Sequence, residues 1–327
     1  MSDTQTVTGE EKILVGFIPE EYAGVDVFRT LGAVTYHRYD RAWLEEHIKE
    51  FDVIVPHLFI RIDRPLLERA QRLKTIATPS TGTDHLDLPA IRDSGIRLVS
   101  LNDDRDFIDT ISSTAELAWL LVLACARRLP ELLARVQSEG SWVNTDVRGA
   151  ELFDKTIGII GYGRLGRKVS RYADAFGMRV LATDSDSGAF SSKQKWVQPV
   201  SLERVLQESD VISVHVKLND TSAGMIGAEE ISRMKRGVIL VNTARGEVLD
   251  SAALLGGLES GVIGALGLDV LNNEYQSTRL PDDPLIRAAQ TDSRIIITPH
   301  AGGSTYDAHA KVFRKTAELI SRGVKQQ

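Results

Sequence analysis

The sequence is poor in cysteine, with one in 327 residues, and in aromatic residues, at 6%; it has no excess of positive charge and no long uninterrupted apolar run. Each shortage removes a class of protein. A single cysteine excludes a disulfide framework and a cysteine-based zinc site, and makes a reducing cytoplasm the expected location. Cys125 stands in "AELAWLLVLACARRL", where it reads as a small buried hydrophobe. A net charge of −6 leaves no global basic surface for nucleic acid, so an anionic ligand would have to meet local cations. The longest apolar stretch, Ala115 to Ala126, carries Glu116 and stops at Arg127 and Arg128, too short to cross a bilayer. The opening "MSDTQTVTGEE" has no basic region leading into an apolar core, so no secretory signal is expected. Neither a nucleic-acid partner, a membrane nor a resident metal is expected.

What is present is alternation. "KILVGFI", "AVTYHRY", "DVIVP", "KTIATP" and "IRLVSL" read as strands separated by helix-like segments such as "PLLERAQRL" and "LPAIRDSG". A second series follows Phe153: "KTIGII", "RVLAT", "DVISVHV", "GVILVNT", "GALGLDV" and "RIIITP". Strand–helix alternation of this kind predicts parallel, doubly wound sheets, and the length is enough for two cores. The expected fold class is therefore α/β, with two such domains in tandem. A long helix near residues 111–129 should join them. The last segment, "YDAHAKVFRKTAELISRGV", reads as one amphipathic helix; if it packs on the first unit, that unit is discontinuous. The expected division is 1–105 with 300–327 for one domain, and 106–299 for the other.

"TIGIIGYGRLG" places Gly161, Gly163 and Gly166 directly after a strand and at the opening of a helix. In that setting the glycines serve a tight turn, close backbone approach to a pyrophosphate, and helix–strand packing. Free N–H groups and the helix dipole hold the phosphates. The next strand, "RVLATD", ends at Asp184, where a carboxylate can accept from adenosine ribose hydroxyls. No arginine follows in "TDSDSGAF" to receive a 2′-phosphate, so NAD is favoured over NADP.

Arg245, Glu274 and His300 also stand at or just past strand ends, where open parallel sheets bind ligands. Reducing a 2-oxo acid requires a cation for the carboxylate and ketone, a proton donor, and a hydride source. Arg245 offers a bidentate fork, His300 the proton, and Glu274 a charge to orient the imidazole. Taken singly, each fits a plainer role: a strand-end cap, a solvated loop acid, a satisfied turn histidine.

Taken together, "GYGRLG" with Asp184, "VNTARGEVLD", "GLDVLNNE" and "TPHAGGST" resemble, in this order, the D-isomer-specific, NAD-dependent 2-hydroxyacid dehydrogenases. The resemblance covers nearly the whole chain. It implies a Rossmann cofactor domain and a flavodoxin-like substrate domain with the active-site cleft between them. It also implies that Arg245 binds the substrate carboxyl and carbonyl and that His300, paired with Glu274, is the acid–base. Asp269 would hold the nicotinamide carboxamide, with backbone from Thr243 and Ala244 nearby, and Arg164 and Leu165 would meet the pyrophosphate. His215 would line the cofactor cleft. "TPSTGTDHLDL" looks like the family's substrate loop, with N–H groups around Thr81 and Gly82 receiving the carboxylate. A homodimer through the cofactor domain, acting on a small anionic 2-oxo or 2-hydroxy acid, is the implied assembly.

Some residues depart from the family's wording. Lys217 stands where proline is usual, Ser222 where threonine is, and Tyr275 replaces the proline after Glu274. His57, Phe59 and Arg61 compete for recognition of the substrate's far end. Phosphite oxidation at the same site, and an NAD-sensing, corepressor-like binding protein, are the alternative functions.

Overall fold

The computed structural model describes residues 11–16, 25–143, 145–191, 194–272, 274 and 280–324. They divide into two compact units, one of residues up to 111 with those from 304 onward, the other of residues 112–274 with 280–303.

The first unit holds five parallel strands: β1 (Lys12–Gly16), β2 (Ala33–His37), β3 (Val53–Val55), β4 (Thr75–Thr78) and β5 (Arg97–Ser100), in the order β2-β1-β3-β4-β5. The inner strands β3 and β4 are buried at every position, as expected where both faces of a parallel sheet are covered. One cover is the helix Tyr306–Val324. Its Val312, Phe313, Ala317 and Ile320 enter a cluster with Ile13, Val15, Phe28 and Val99. The apolar periodicity at the chain's end thus completes a core begun about three hundred residues earlier.

The second unit holds β6 (Thr156–Ile160), β7 (Arg179–Thr183), β8 (Val197–Pro199), β9 (Val211–Val214), β10 (Val238–Asn242), β11 (Ile263–Leu268) and β12 (Ile295–Ile297). All pairs are parallel and the order is β12-β11-β10-β9-β6-β7-β8. The order reverses beside β6, which makes the crevice between β6 and β9 the switch point where doubly wound sheets bind ligands. Six of these strands follow from the sequence pattern. β8 was not expected: three residues with a proline carry little pattern, and Pro199 is tolerated because β8 is an edge strand.

Two helices differ from expectation. The long helix near 111–129 is shorter, Ser113–Ala126, and a separate helix runs Leu129–Gln137. Arg128 between them is left-handed at φ 52°, and Pro130 in the first turn of the second helix cannot donate back into the first. Ser113–Ala126 buries Ala115, Ala118, Trp119, Leu121, Val122 and Cys125 against β10, β11 and the helix that follows β6. "PLLERAQRL" forms only the short helix Arg64–Leu67, after which three-residue backbone turns seat Ala70 and Leu73 in the core.

Candidate active site

Each strand of the second unit except β8 delivers expected site residues at its carboxyl end. Along the sheet these read His300 after β12, Asp269 and Glu274 after β11, Thr243–Arg245 after β10, His215 after β9, Gly161 after β6 and Asp184 after β7. Neighbouring strands lie about 4.8 Å apart, so this row runs roughly 24 Å along one edge.

The glycines of the fingerprint have steric reasons. Gly161 has φ 92°, open to a residue without Cβ, and a Cβ there would fall 2.7 Å from the carbonyl carbon of His215 across the switch point. A Cβ on Gly166 would lie 2.1 Å from the Gly161 carbonyl oxygen, which fixes how closely the helix Arg164–Ala175 sits on β6. Around Gly163 a Cβ would meet nothing within 4 Å. Gly163 caps that helix without a side-chain hydrogen bond of its own, and a helix N-terminus at a strand's carboxyl end is a place where a phosphate can bind. Asp184 accepts from Tyr162 N (2.6 Å) and Asp186 N (2.9 Å), which holds its carboxylate at the mouth of the turn.

Farther along the row, His215 bonds Ser213 through Nε2 (2.9 Å), while its Nδ1 and the Thr243 hydroxyl are buried without hydrogen-bond partners among the described residues. Burial pushes the His215 pKa down to about 4, so the imidazole is neutral at physiological pH. Two buried, unsatisfied polar atoms at the ends of adjacent strands suit a ligand with its own polar groups. A helix N-terminus, a glycine turn and a carboxylate on the next strand fit a dinucleotide.

His300 and Glu274 come together: His300 Nδ1 lies 2.6 Å from Glu274 Oε1, and the carboxylate's Oε2 accepts from Leu271 N (3.1 Å). Glu274 is buried at 8% exposure, so its charge is little screened by water. His300 adopts φ 50°, a left-handed backbone that costs a non-glycine residue on the order of 1 kcal/mol or more. Asp269 holds it there. The Asp269 carbonyl accepts from His300 N (2.9 Å), Oδ1 from Ala301 N (2.7 Å) and Thr298 Oγ1 (2.6 Å), and Oδ2 from Gly302 N (2.8 Å). Successive N–H groups around a left-handed residue form an anion nest, and here the anion is the chain's own carboxylate. Burial raises the Asp269 pKa, and these donors oppose the shift. The resemblance gave Asp269 to the nicotinamide; in the structure three of its carboxylate's roughly four acceptor positions serve the histidine turn. Gly302 is explained by the same contact, since a Cβ would lie 3.0 Å from Asp269 Oδ2.

Arg245 follows β10 in extended conformation, with its guanidinium Nη1 donating to the Ala244 carbonyl (2.6 Å). Asn242 and Gly246, which flank this segment, were missed. Asn242 ends a wholly apolar buried strand, and a polar residue in such a place must find partners, a signal available in "VILVN".

The loop 217–222 closes through its two unusual residues. Ser222 Oγ donates to the Lys217 carbonyl (2.6 Å) and accepts from Asn219 N (2.9 Å). Tyr275 lies outside the described residues. In the first unit, Thr81 and Gly82 follow β4, where Gly82 N donates to Ser80 Oγ (3.0 Å) and the Thr81 carbonyl accepts from Asn102 (2.7 Å). The Gly82 N–H expected to meet a carboxylate therefore has a hydroxyl partner within its own turn. His57 and Phe59 pack ring to ring at 4.5 Å, with Phe59 N donating to His57 Nδ1 (3.2 Å), and Arg61 is exposed.

Residues 119–302 match the family model described as D-isomer specific 2-hydroxyacid dehydrogenase, NAD binding domain. The chain is 35% identical over 287 residues to a hydroxypyruvate reductase of Thermotoga maritima, covering 88% of this chain and 89% of that protein. It is 36% identical over 279 residues to a glyoxylate reductase of Korarchaeum cryptofilum, covering 84% and 80%. The solved structure of a D-lactate dehydrogenase from Aquifex aeolicus, complexed with NAD and lactic acid, is similar with a TM-score of 0.82 at 31% identity, covering 96% of each chain.

Proposed function

The chain belongs to the D-isomer-specific 2-hydroxyacid dehydrogenases, NAD-dependent enzymes, and from that premise we propose that it interconverts a small 2-oxo acid and its D-2-hydroxy acid, with His300 as acid–base and Arg245 as the substrate's cation. The observation that carries the assignment is the part-buried contact of 2.6 Å between His300 Nδ1 and Glu274 Oε1. A carboxylate there keeps the proton on Nδ1 and directs the imidazole's exchange of protons to Nε2. In reduction, Nε2–H of the imidazolium donates to the ketone oxygen as it becomes an alkoxide. In oxidation, neutral Nε2 accepts the hydroxyl proton. NADH, which the Gly161–Gly166 turn and Asp184 would hold, would supply the hydride for reduction, and NAD would receive it in oxidation. Arg245 offers two parallel N–H donors to the carboxylate, which orients the ketone and balances the charge developing on it. His215, held neutral by burial, contributes a wall and leaves proton transfer to His300.

Relatives named for hydroxypyruvate, glyoxylate and lactate support a substrate with a short carbon chain. The test is turnover of hydroxypyruvate, glyoxylate and pyruvate by the purified protein, with NADH and NADPH side by side. NADH-dependent reduction that collapses in Arg245→Ala, through both KM and kcat, is expected. Absence of turnover with all three acids would remove the assignment.

For assembly, the helix Leu129–Gln137 supports a homodimer through the second unit. Leu129, Leu133 and Val136 form a stripe on it at 38, 45 and 49% exposure, and Trp142 nearby in sequence is 91% exposed. Apolar surface of this kind is ordinarily covered by a partner.

A further inference from the structure

We propose that Asn242 is a positioning residue whose side chain sets the direction of Arg245. The inference rests on the role given to Arg245 above. Asn242 is fully buried at the last position of β10 and uses both ends of its amide on the next turn. Its Oδ1 accepts from Ala244 N (2.9 Å) and its Nδ2 donates to the Arg245 carbonyl (2.8 Å). The segment that must aim the guanidinium is thus fixed on both sides of the Ala244–Arg245 peptide. The main chain of Asn242 serves the other half of the site, because its carbonyl accepts from Asp269 N (2.9 Å). Asp269 in turn binds the backbone of the His300 turn. One residue therefore connects the substrate cation, through its side chain, to the proton donor, through its backbone.

Gly246 tightens the same join. A Cβ there would lie 2.1 Å from the carbonyl carbon of Leu271 and 2.4 Å from Asn272 N, so the Arg245 segment rests backbone to backbone on the segment leading to Glu274. With that contact in place, Asn242 fixes the backbone on both sides of the peptide that leads into Arg245.

The experiment is a double-mutant cycle of Asn242→Ala and Arg245→Ala, read as kcat/KM for NADH-dependent reduction of hydroxypyruvate, with NAD affinity and Tm measured on each protein. Asn242→Ala alone should lower kcat/KM by on the order of 10²-fold, the scale for misplacing a binding group by about an ångström, with NAD affinity unchanged. In the Arg245→Ala background the same substitution should have almost no further effect, since it acts through the arginine. Asn242→Ser, polar but too short to span both backbone groups, gives the same measure if the alanine protein does not fold. An equal loss in both backgrounds, or no loss in either, overturns the positioning role. If Arg245→Ala itself keeps full activity, the substrate role of Arg245 fails, and this outcome is distinct from additive losses.

Discussion

At the scale of the residue, the least comfortable backbone in the site belongs to its proposed proton donor. His300 is held left-handed by an aspartate that precedes it by thirty-one residues, and its ring is aimed by a second buried carboxylate. Replacing it by alanine should reduce kcat by about 10²–10⁴-fold while NAD affinity is retained. Steady-state kinetics beside a fluorescence titration of NAD separates the two quantities, and near-normal kcat would end the acid–base role. The pairing of His300 with Glu274 was legible in the sequence because both sit beside strand ends in recognisable words. The duty of Asp269 toward the 298–302 turn was not, because which donors reach a carboxylate depends on the path of the loop after β12. Asn242 was half legible: its place on a buried strand announces a need for partners, and only the fold says which ones.

At the scale of the element, the two sheets share a device at their opposite, amino-terminal edge. Asp52 before β3 accepts from Lys12 N of β1 and pairs with Lys74 and Arg72; Asp210 before β9 accepts from Thr156 N of β6 and pairs with Lys235. In both carboxyls burial alone would raise the pKa, and the N–H and cationic partners outweigh it and hold the pKa below the ordinary 3.8. A depressed folded-state pKa stabilises the fold above the unfolded value, and that stability is lost as pH falls. Stability should therefore decline as pH drops below about 4, more steeply in the wild type than in Asp52→Asn or Asp210→Asn. Urea midpoints across that range provide the check; parallel curves would remove these strand entrances from the acid response. The strands themselves were readable as short apolar runs between turn residues. The break at Arg128 was hidden because helix-forming residues stand on both sides of it, and Pro130 acts on the helix after the break rather than the one before.

At the scale of the whole molecule, 2-1-3-4-5 and 3-2-1-4-5-6-7 strand orders are what repeated strand–helix alternation leads to, and the closing helix returns to the first core because its apolar stripe matches that sheet's uncovered face. The proposed association surface was less legible: "LPELLARVQ" is amphipathic, and only the structure shows that its apolar stripe faces solvent in the single chain. Leu133→Glu should leave the fold intact and shift the assembly to monomer, read by light scattering or sedimentation at matched concentration; an unchanged mass would move the interface elsewhere. The row of ligand groups along the second sheet also has a history in time. The groups proposed to hold the cofactor follow β6, β7, β9 and β10, whereas His300 follows β12, the strand made last in that sheet and placed at its border. In the order of synthesis, the groups proposed to seat the dinucleotide therefore come before the group proposed to move the proton, so both roles can meet only in a finished sheet.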